Sequence, residues 1–461
     1  MNRRHFLRSS GALSAATLLA NPQPAEAARL KKGERVLILG AGLAGLAAAY
    51  YLTGKGVPVT VLEARTRAGG RVFTQQVDPT SGLNAELGAE WVGDSHKRMK
   101  ELCAELSLPL LDHRFNTHLL LNGQHAAPGA WNLDPKWETD YKKLLDDFKI
   151  ISEKPGRAYE KQERTYDKMD WWRYLNNHGI PARDLEIKEL LDSTDFGECT
   201  RHVSAYMGLA EYAFSDEKNE MDFRIKGGNS RLVEALVAKI GAGNVLTGKK
   251  AMVVRQDGKG VTVTCEDGSQ HTGAKLICTA PIFALSRIDW QPALPADKVD
   301  AINELEYCRI IKSVVVFRER FWREETFDMI TDTPGHYFFN SSKNQPGPKG
   351  SLTSYAVGDK AYLLSSMNKE ARRKTICQAL EPVFGDVLPY AEEVTSYYWG
   401  GDPYTQGAYA IYDTRQWFTL REELARPHRH IHFAGEHLAD WQGFMEGAVQ
   451  TGEDAARAIA G

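Results

Sequence analysis

The stretch "RVLILGAGLAGLAAAYYLTGKGVPVTVLEARTRAGGRV", Arg35 to Val72, decides the fold. It opens on a continuous apolar run, as expected of a parallel strand buried on both faces. Gly40, Gly42 and Gly45 then fill the pattern G-x-G-x-x-G. The residues that follow have helical composition and stop at Gly54 and Gly56, and "VPVTVLE" is a second strand ending on Glu63. Strand, glycine turn, helix and strand with a terminal acid form a dinucleotide-binding unit. The glycines let backbone approach a pyrophosphate at the helix N-terminus, and Glu63 accepts from ribose hydroxyls. Two phosphates need more positive charge than one helix end supplies. Arg65 and Arg71 are placed to reach back to them, while Gly69-Gly70 let their loop pass close to the cofactor. Arg67 is expected to be solvated.

Working outward, the chain has 461 residues, enough for two structural domains. Its 43% hydrophobic and 25% charged composition argues against disorder and against a repeat protein. A formal net charge of −3 shows no basic excess, which argues against a nucleic-acid partner. The N-terminal "MNRRHFLRSSGALSAATLLANPQPAEAA" has Arg3-Arg4, an apolar run from Gly11 to Ala20 and the small-residue site Ala25-Glu26-Ala27. The run is too short to span a bilayer, and this order is that of a twin-arginine export signal over residues 1–27. The mature protein is therefore expected in the periplasm or secreted, without a membrane span. Six cysteines without a C-x-x-C pair offer no metal site, and Cys265 and Cys278 read as buried thiols.

Further along, residues 96–220 are charged and helical in texture. "NVLTGKKAMVVRQDGKGVTVTCEDGSQHTGAKLICTAP" alternates strands with Asp-Gly turns and reads as a meander. "RIIKSVVVF" is a strong strand, "HIHFAGEH" a strand ending at a glycine, and "FMEGAVQTGEDAARAIAG" the last helix. The expected architecture is mixed α/β: a Rossmann-like domain assembled from 34–95, 221–290 and 420–461, with a second, discontinuous domain from 96–220 and 291–419.

The run E-A-R-x-R-x-G-G-R behind the dinucleotide fingerprint resembles the flavin-containing amine oxidases, a family that includes monoamine, polyamine and L-amino-acid oxidases. The likeness recurs in "AELGAEWVG", "GGNSRL", "WGGDPYTQGAY" and "HFAGEHLADWQGFMEGAVQTG", in the family's order. It implies FAD as the cofactor. By this resemblance Leu43, Ala44, Glu63, Ala64, Arg65, Gly70 and Arg71 hold the ADP half, and Ala251 offers backbone to adenine. Gly88, Ala89, Glu90 and Trp91, with Gly435, Glu436, Gly443, Met445 and Glu446, line the ribityl and flavin portion. Independently, the N-terminus of the last helix, near Phe444 and Met445, offers free N–H groups and positive dipole to the flavin edge that gains charge on reduction.

Three residues are catalytic candidates. Lys312 interrupts an apolar strand, so it either snorkels from an edge or is desolvated for a purpose. The resemblance gives it a water-mediated link to the flavin and a part in reoxidation by oxygen. Tyr409 and Phe444 match the two aromatic walls that sandwich the amine. Ala408 stands where monoamine oxidases carry the cysteine that bonds the flavin, so FAD is expected to be non-covalent. The implied reaction is hydride transfer from the carbon bearing nitrogen, imine hydrolysis, and reoxidation by O2 to give peroxide. L-Amino-acid oxidases carry an arginine where Trp91 stands, and Glu90 beside it suits an ammonium better than a carboxylate. Asp94 and His96 either extend that polar edge or start a solvated helix. An amine substrate is therefore expected. An L-amino-acid oxidase, a same-fold dehydrogenase or desaturase, and a non-catalytic exported flavoprotein are the alternatives. A homodimer is compatible with the sequence.

Overall fold

The computed structural model describes residues 30–460 apart from 155–156 and 217, so the export signal lies outside the described residues. The opening stretch folds as its pattern requires. Val36–Leu39 is the central strand of a five-stranded parallel sheet. Val59–Leu62 and Val245–Leu246 follow on one side, Lys275–Cys278 and Ile431–Phe433 on the other. Val36 and Ile38 pack with Leu46 of the fingerprint helix (Leu43–Gly54) and Val449 of the C-terminal helix (Met445–Ala460). Leu37 and Leu39 face the opposite cluster, which shows why a run apolar at every position is needed here. The two helices touch closely: a Cβ on Gly452 would lie 2.0 Å from the Ala44 carbonyl oxygen.

The expected meander is real only in part. Ala251–Asp257, Gly260–Cys265 and Gln270–Gly273 pair antiparallel, but Val245–Leu246 and Lys275–Cys278 leave it for the parallel sheet. A seven-stranded mixed sheet forms the other half, in the order Ala391–Tyr398, Ile310–Phe317, Gly350–Val357, Tyr337–Asn340, Phe327–Thr331, Asn116–Leu121 and Gln124–Ala126. Its hairpin at 116–126 comes from the region read as helical. Asn116–Leu121 pairs in parallel with Phe327–Thr331, a partner some two hundred residues away that no local pattern announces.

The boundary expected at residue 95 falls just before the helix Lys97–Glu105. Met99, Leu102 and Cys103 of that helix are buried in the same cluster as the parallel sheet. Cys265 and Cys278 are buried, and all six cysteines are free. No described helix is long and apolar enough to cross a membrane.

Candidate active site

A cavity of about 470 Å³ begins at the fingerprint turn and reaches the seven-stranded sheet. Gly40 adopts φ +103°, a left-handed conformation that favours glycine. A Cβ on Gly42 would meet nothing within 4 Å, so the space over the first turn of the fingerprint helix is open to an anion. Gly45 does not line the cavity. A Cβ there would lie 2.0 Å from the Gly40 carbonyl oxygen, so its role is to seat the helix against the turn. Glu63 accepts from the Ala41 and Arg65 backbone N–H groups, each at 2.8 Å, one per carboxylate oxygen. Burial pushes its pKa up against these bonds, and each oxygen keeps a lone pair for a ribose hydroxyl.

The structure gives Arg65 and Arg71 acidic partners and corrects the reading of Arg67. Arg65 grips Asp402 with both guanidinium ends, at 2.9 and 2.7 Å, and stacks on Tyr404. Arg71 pairs with Glu436 at 2.6 Å and donates to the Ala408 carbonyl. Both line the cavity, but their charges are neutralised by acids and they staple loops together. Arg67 is not solvated: it is half-buried, lies over Phe73 and donates to the Gly70 carbonyl at 2.9 Å.

All the expected cofactor contacts line the cavity except Gly45 and Glu446. Glu446 instead accepts from the backbone N–H groups of Arg98 and Met99, at 3.1 and 2.7 Å, and caps the helix Lys97–Glu105. The segment Gly88–Trp91 is held from two sides. The Ala89 N–H donates to the Arg71 carbonyl at 3.0 Å, and Asn229 of the central glycine turn donates to the Ala89 and Glu90 carbonyls. Glu436 accepts from Arg71, the Ala410 N–H and the Gly443 N–H, which joins three loops around one carboxylate.

Lys312, Tyr409 and Phe444 all line the cavity. Lys312 lies in a central strand whose eight residues are all buried, so it does not snorkel from an edge. Its register partner is Tyr355, and Tyr355 pairs in turn with Tyr337, which puts the three in one row on the cavity face. The Lys312 Nζ donates to Glu90 Oε2 at 2.8 Å and sits 5.6 Å from the Trp91 ring. His113 Nε2 meets the other Glu90 oxygen at 3.2 Å. Burial opposes ionisation of Glu90, but Lys312 and then His113 overcome it and hold its pKa down at about 2. Burial pushes the His113 pKa down, and a carboxylate oxygen can only accept, so the ring donates from Nε2 to Glu90. Glu90 is thus the counterion of Lys312 and is not a free anion for a substrate ammonium.

The walls are fixed by polar and edge contacts. Tyr409 donates to the Asp195 carbonyl at 3.0 Å, and its hydroxyl lies 3.0 Å from that of Tyr355. Phe444 packs edge-on against His96, ring centroids 5.0 Å apart. His96 is therefore buried support for a wall, and Asp94 is an exposed partner of Lys100. Thr194, Asp195 and Tyr355 line the same end of the cavity and were missed by sequence reading. They sit on a helix and a strand with no motif of their own. The only arginines on the cavity wall among the described residues are Arg65, Arg71 and Arg287. Arg65 and Arg71 are ion-paired, and Arg287 stacks on Phe283 in the segment that follows Thr279.

Residues 43–460 match the model of the flavin containing amine oxidoreductases, and residues 1–20 match the twin-arginine translocation signal sequence. An L-amino-acid oxidase of Siganus canaliculatus is 27% identical, over 93% of this chain and 86% of its own. A flavin-containing amine oxidase of Oncorhynchus mykiss is 26% identical, over 92% of this chain and 85% of its own. The solved structure of cyclohexylamine oxidase from Brevibacterium oxydans superposes with a TM-score of 0.82 at 19% identity, covering 93% of this chain and 99% of that one.

Proposed function

The chain belongs to the flavin containing amine oxidoreductase family, and from that premise we propose that it is an exported oxidase of primary or secondary amines that uses O2. FAD is its cofactor, and the site fits it: an open helix N-terminus over Gly42, Glu63 with spare lone pairs, and a cavity continuous from both to Lys312. Ala408 offers no sulfur to bond the flavin, so FAD is held non-covalently. When bound, it accepts hydride from the carbon bearing nitrogen and returns to its oxidised state at the expense of O2.

The protein's residues supply the surroundings. Tyr409 and Phe444 enclose the amine and exclude water, which disfavours its ammonium form and leaves the neutral amine that can be oxidised. Lys312 spends one of its three N–H donors on the hydrogen bond to Glu90 and keeps two donors for water in the cavity. Its fixed positive charge favours the negative charge that develops on oxygen during its reduction.

The observation that carries the amine reading is the charge of the cavity's substrate end. That end presents the Asp195 carboxylate and the Glu90–Lys312 pair, with no arginine beside them for a substrate carboxylate among the described residues. The test is a panel of amines and L-amino acids, read by peroxide release and by anaerobic bleaching of the flavin. Amines are expected to bleach it. Bleaching by L-amino acids alone overturns the reading, and bleaching by neither class means a binding protein or a different dehydrogenase.

A further inference from the structure

Asp195 lies next to the C-terminal residue of the helix Ala182–Phe196, is half-buried and lines the cavity. Tyr212 donates to its Oδ2 at 2.8 Å, and the Asn219 amide stands close by. Neither carries charge. No lysine, arginine or histidine forms an ion pair with it among the described residues, because the nearby Lys188 is bound to Asp192 at 2.7 Å. Buried carboxylates are ordinarily paired, and this one has neutral partners and an open side. Burial, and then the nearby Asp192, push its pKa up to about 7, the mark of an acid whose protein surroundings supply too little positive charge.

The surroundings repeat the same sign. The helix ends here, so its last carbonyls carry the negative end of the helix dipole. The Thr194 and Asp195 carbonyls already accept from the hydroxyls of Tyr355 and Tyr409. Tyr355 and Tyr409 line the cavity with their hydroxyls turned to these carbonyls, and the Tyr355 ring centroid lies 5.7 Å from Lys312 Nζ. At the other side of the same tyrosines, Lys312 and the walls take the reacting nitrogen in its neutral form. One cavity thus asks for a neutral nitrogen at one place and a positive charge at another.

We infer that Asp195 and the carbonyl end of its helix form a subsite for a second, cationic group of the substrate, so that the preferred substrates are diamines or amines with a remote cation. This rests on the reading of the protein as an amine oxidase, and the experiment separates the two. The FAD-loaded enzyme and its Asp195→Asn and Asp195→Glu variants are assayed with cadaverine against n-pentylamine, and with L-lysine against L-norleucine. Comparison within each pair reads the subsite, and comparison between pairs reads the amine assignment. The wild type is expected to favour cadaverine over n-pentylamine by roughly 30-fold or more in kcat/KM, as for a buried charge pair. Asp195→Asn should bring that ratio near one, chiefly through KM, while Asp195→Glu keeps a preference for the dication. Thermal protection by the same four compounds is read in parallel, so the subsite is tested even where turnover fails. Equal constants and equal protection for the two members of each pair in the wild type, or ratios unchanged in Asp195→Asn with its flavin spectrum intact, overturn the subsite. Oxidation of L-lysine and L-norleucine but of neither amine overturns the amine reading alone.

Discussion

Lys312 shows how burial changes what a charged residue does. A lysine in an apolar strand has two readings by sequence, and the structure decides between them by giving its strand a hydrogen-bonded neighbour on each side. Its charge is then compensated by Glu90 at 2.8 Å with both side chains inside. Lys312→Met leaves that carboxylate buried without its cation, a loss of about 3–5 kcal/mol. The expected outcome is a lower Tm, together with slower flavin reoxidation by O2 and little change in anaerobic reduction by substrate. Adding Glu90→Gln should recover most of the Tm and none of the reoxidation rate. Stopped-flow measurement of both half-reactions, beside thermal unfolding, tests this. A double variant that reoxidises at the wild-type rate removes Lys312 from the oxygen reaction. Glu63→Ala, at the other end of the cavity, should weaken FAD retention by about 1.5–3 kcal/mol for a lost charged acceptor. Dialysis against FAD-free buffer reads that loss.

Among the elements, the last helix joins the two ends of the chain's nucleotide-binding half, and it does so by contacts of two kinds. Gly452 lets it approach Ala44 of the fingerprint helix, and Glu446 caps the helix Lys97–Glu105 across the gap. Glu446→Ala should cost about 1–2 kcal/mol, the range for a helix cap, and leave the flavin spectrum unchanged, because the residue does not touch the cavity. A bleached or shifted spectrum would return it to the cofactor. Gly45→Ala forces a Cβ to within 2.0 Å of the Gly40 carbonyl oxygen. An overpacking cost of about 1–3 kcal/mol is expected, with the fingerprint turn displaced and FAD lost along with the Tm. Unfolding and flavin content measured together separate the two variants.

For the whole molecule, cofactor and export can be checked without any substrate. Acid precipitation of the yellow protein should leave the flavin in the supernatant and the pellet white, since Ala408 offers no anchor. Replacing Arg3 and Arg4 by lysine should strand a flavinated protein in the cytoplasm, read by fractionation and absorbance. Unchanged processing would separate the N-terminal match from the route it names.

The sequence by itself determined the nucleotide-binding half, because its signals are local. A glycine turn, a helix and an acid within thirty residues fix one another by backbone geometry, and Gly40, Gly42 and Glu63 all stand on the cavity wall. The charge carriers were less legible. Arg65 and Arg71 look free in sequence, yet they close on Asp402 and Glu436 more than three hundred residues away. Glu90 looks available to a substrate until Lys312 arrives from a distant strand. Asp195 shows nothing in its own helix that marks it as the acid left without a cation. Chain order records which groups are present, and hydrogen bonding and burial decide which charges cancel. Only the tertiary structure brings the partners together, so only it could show which end of the cavity holds an acid without a cation.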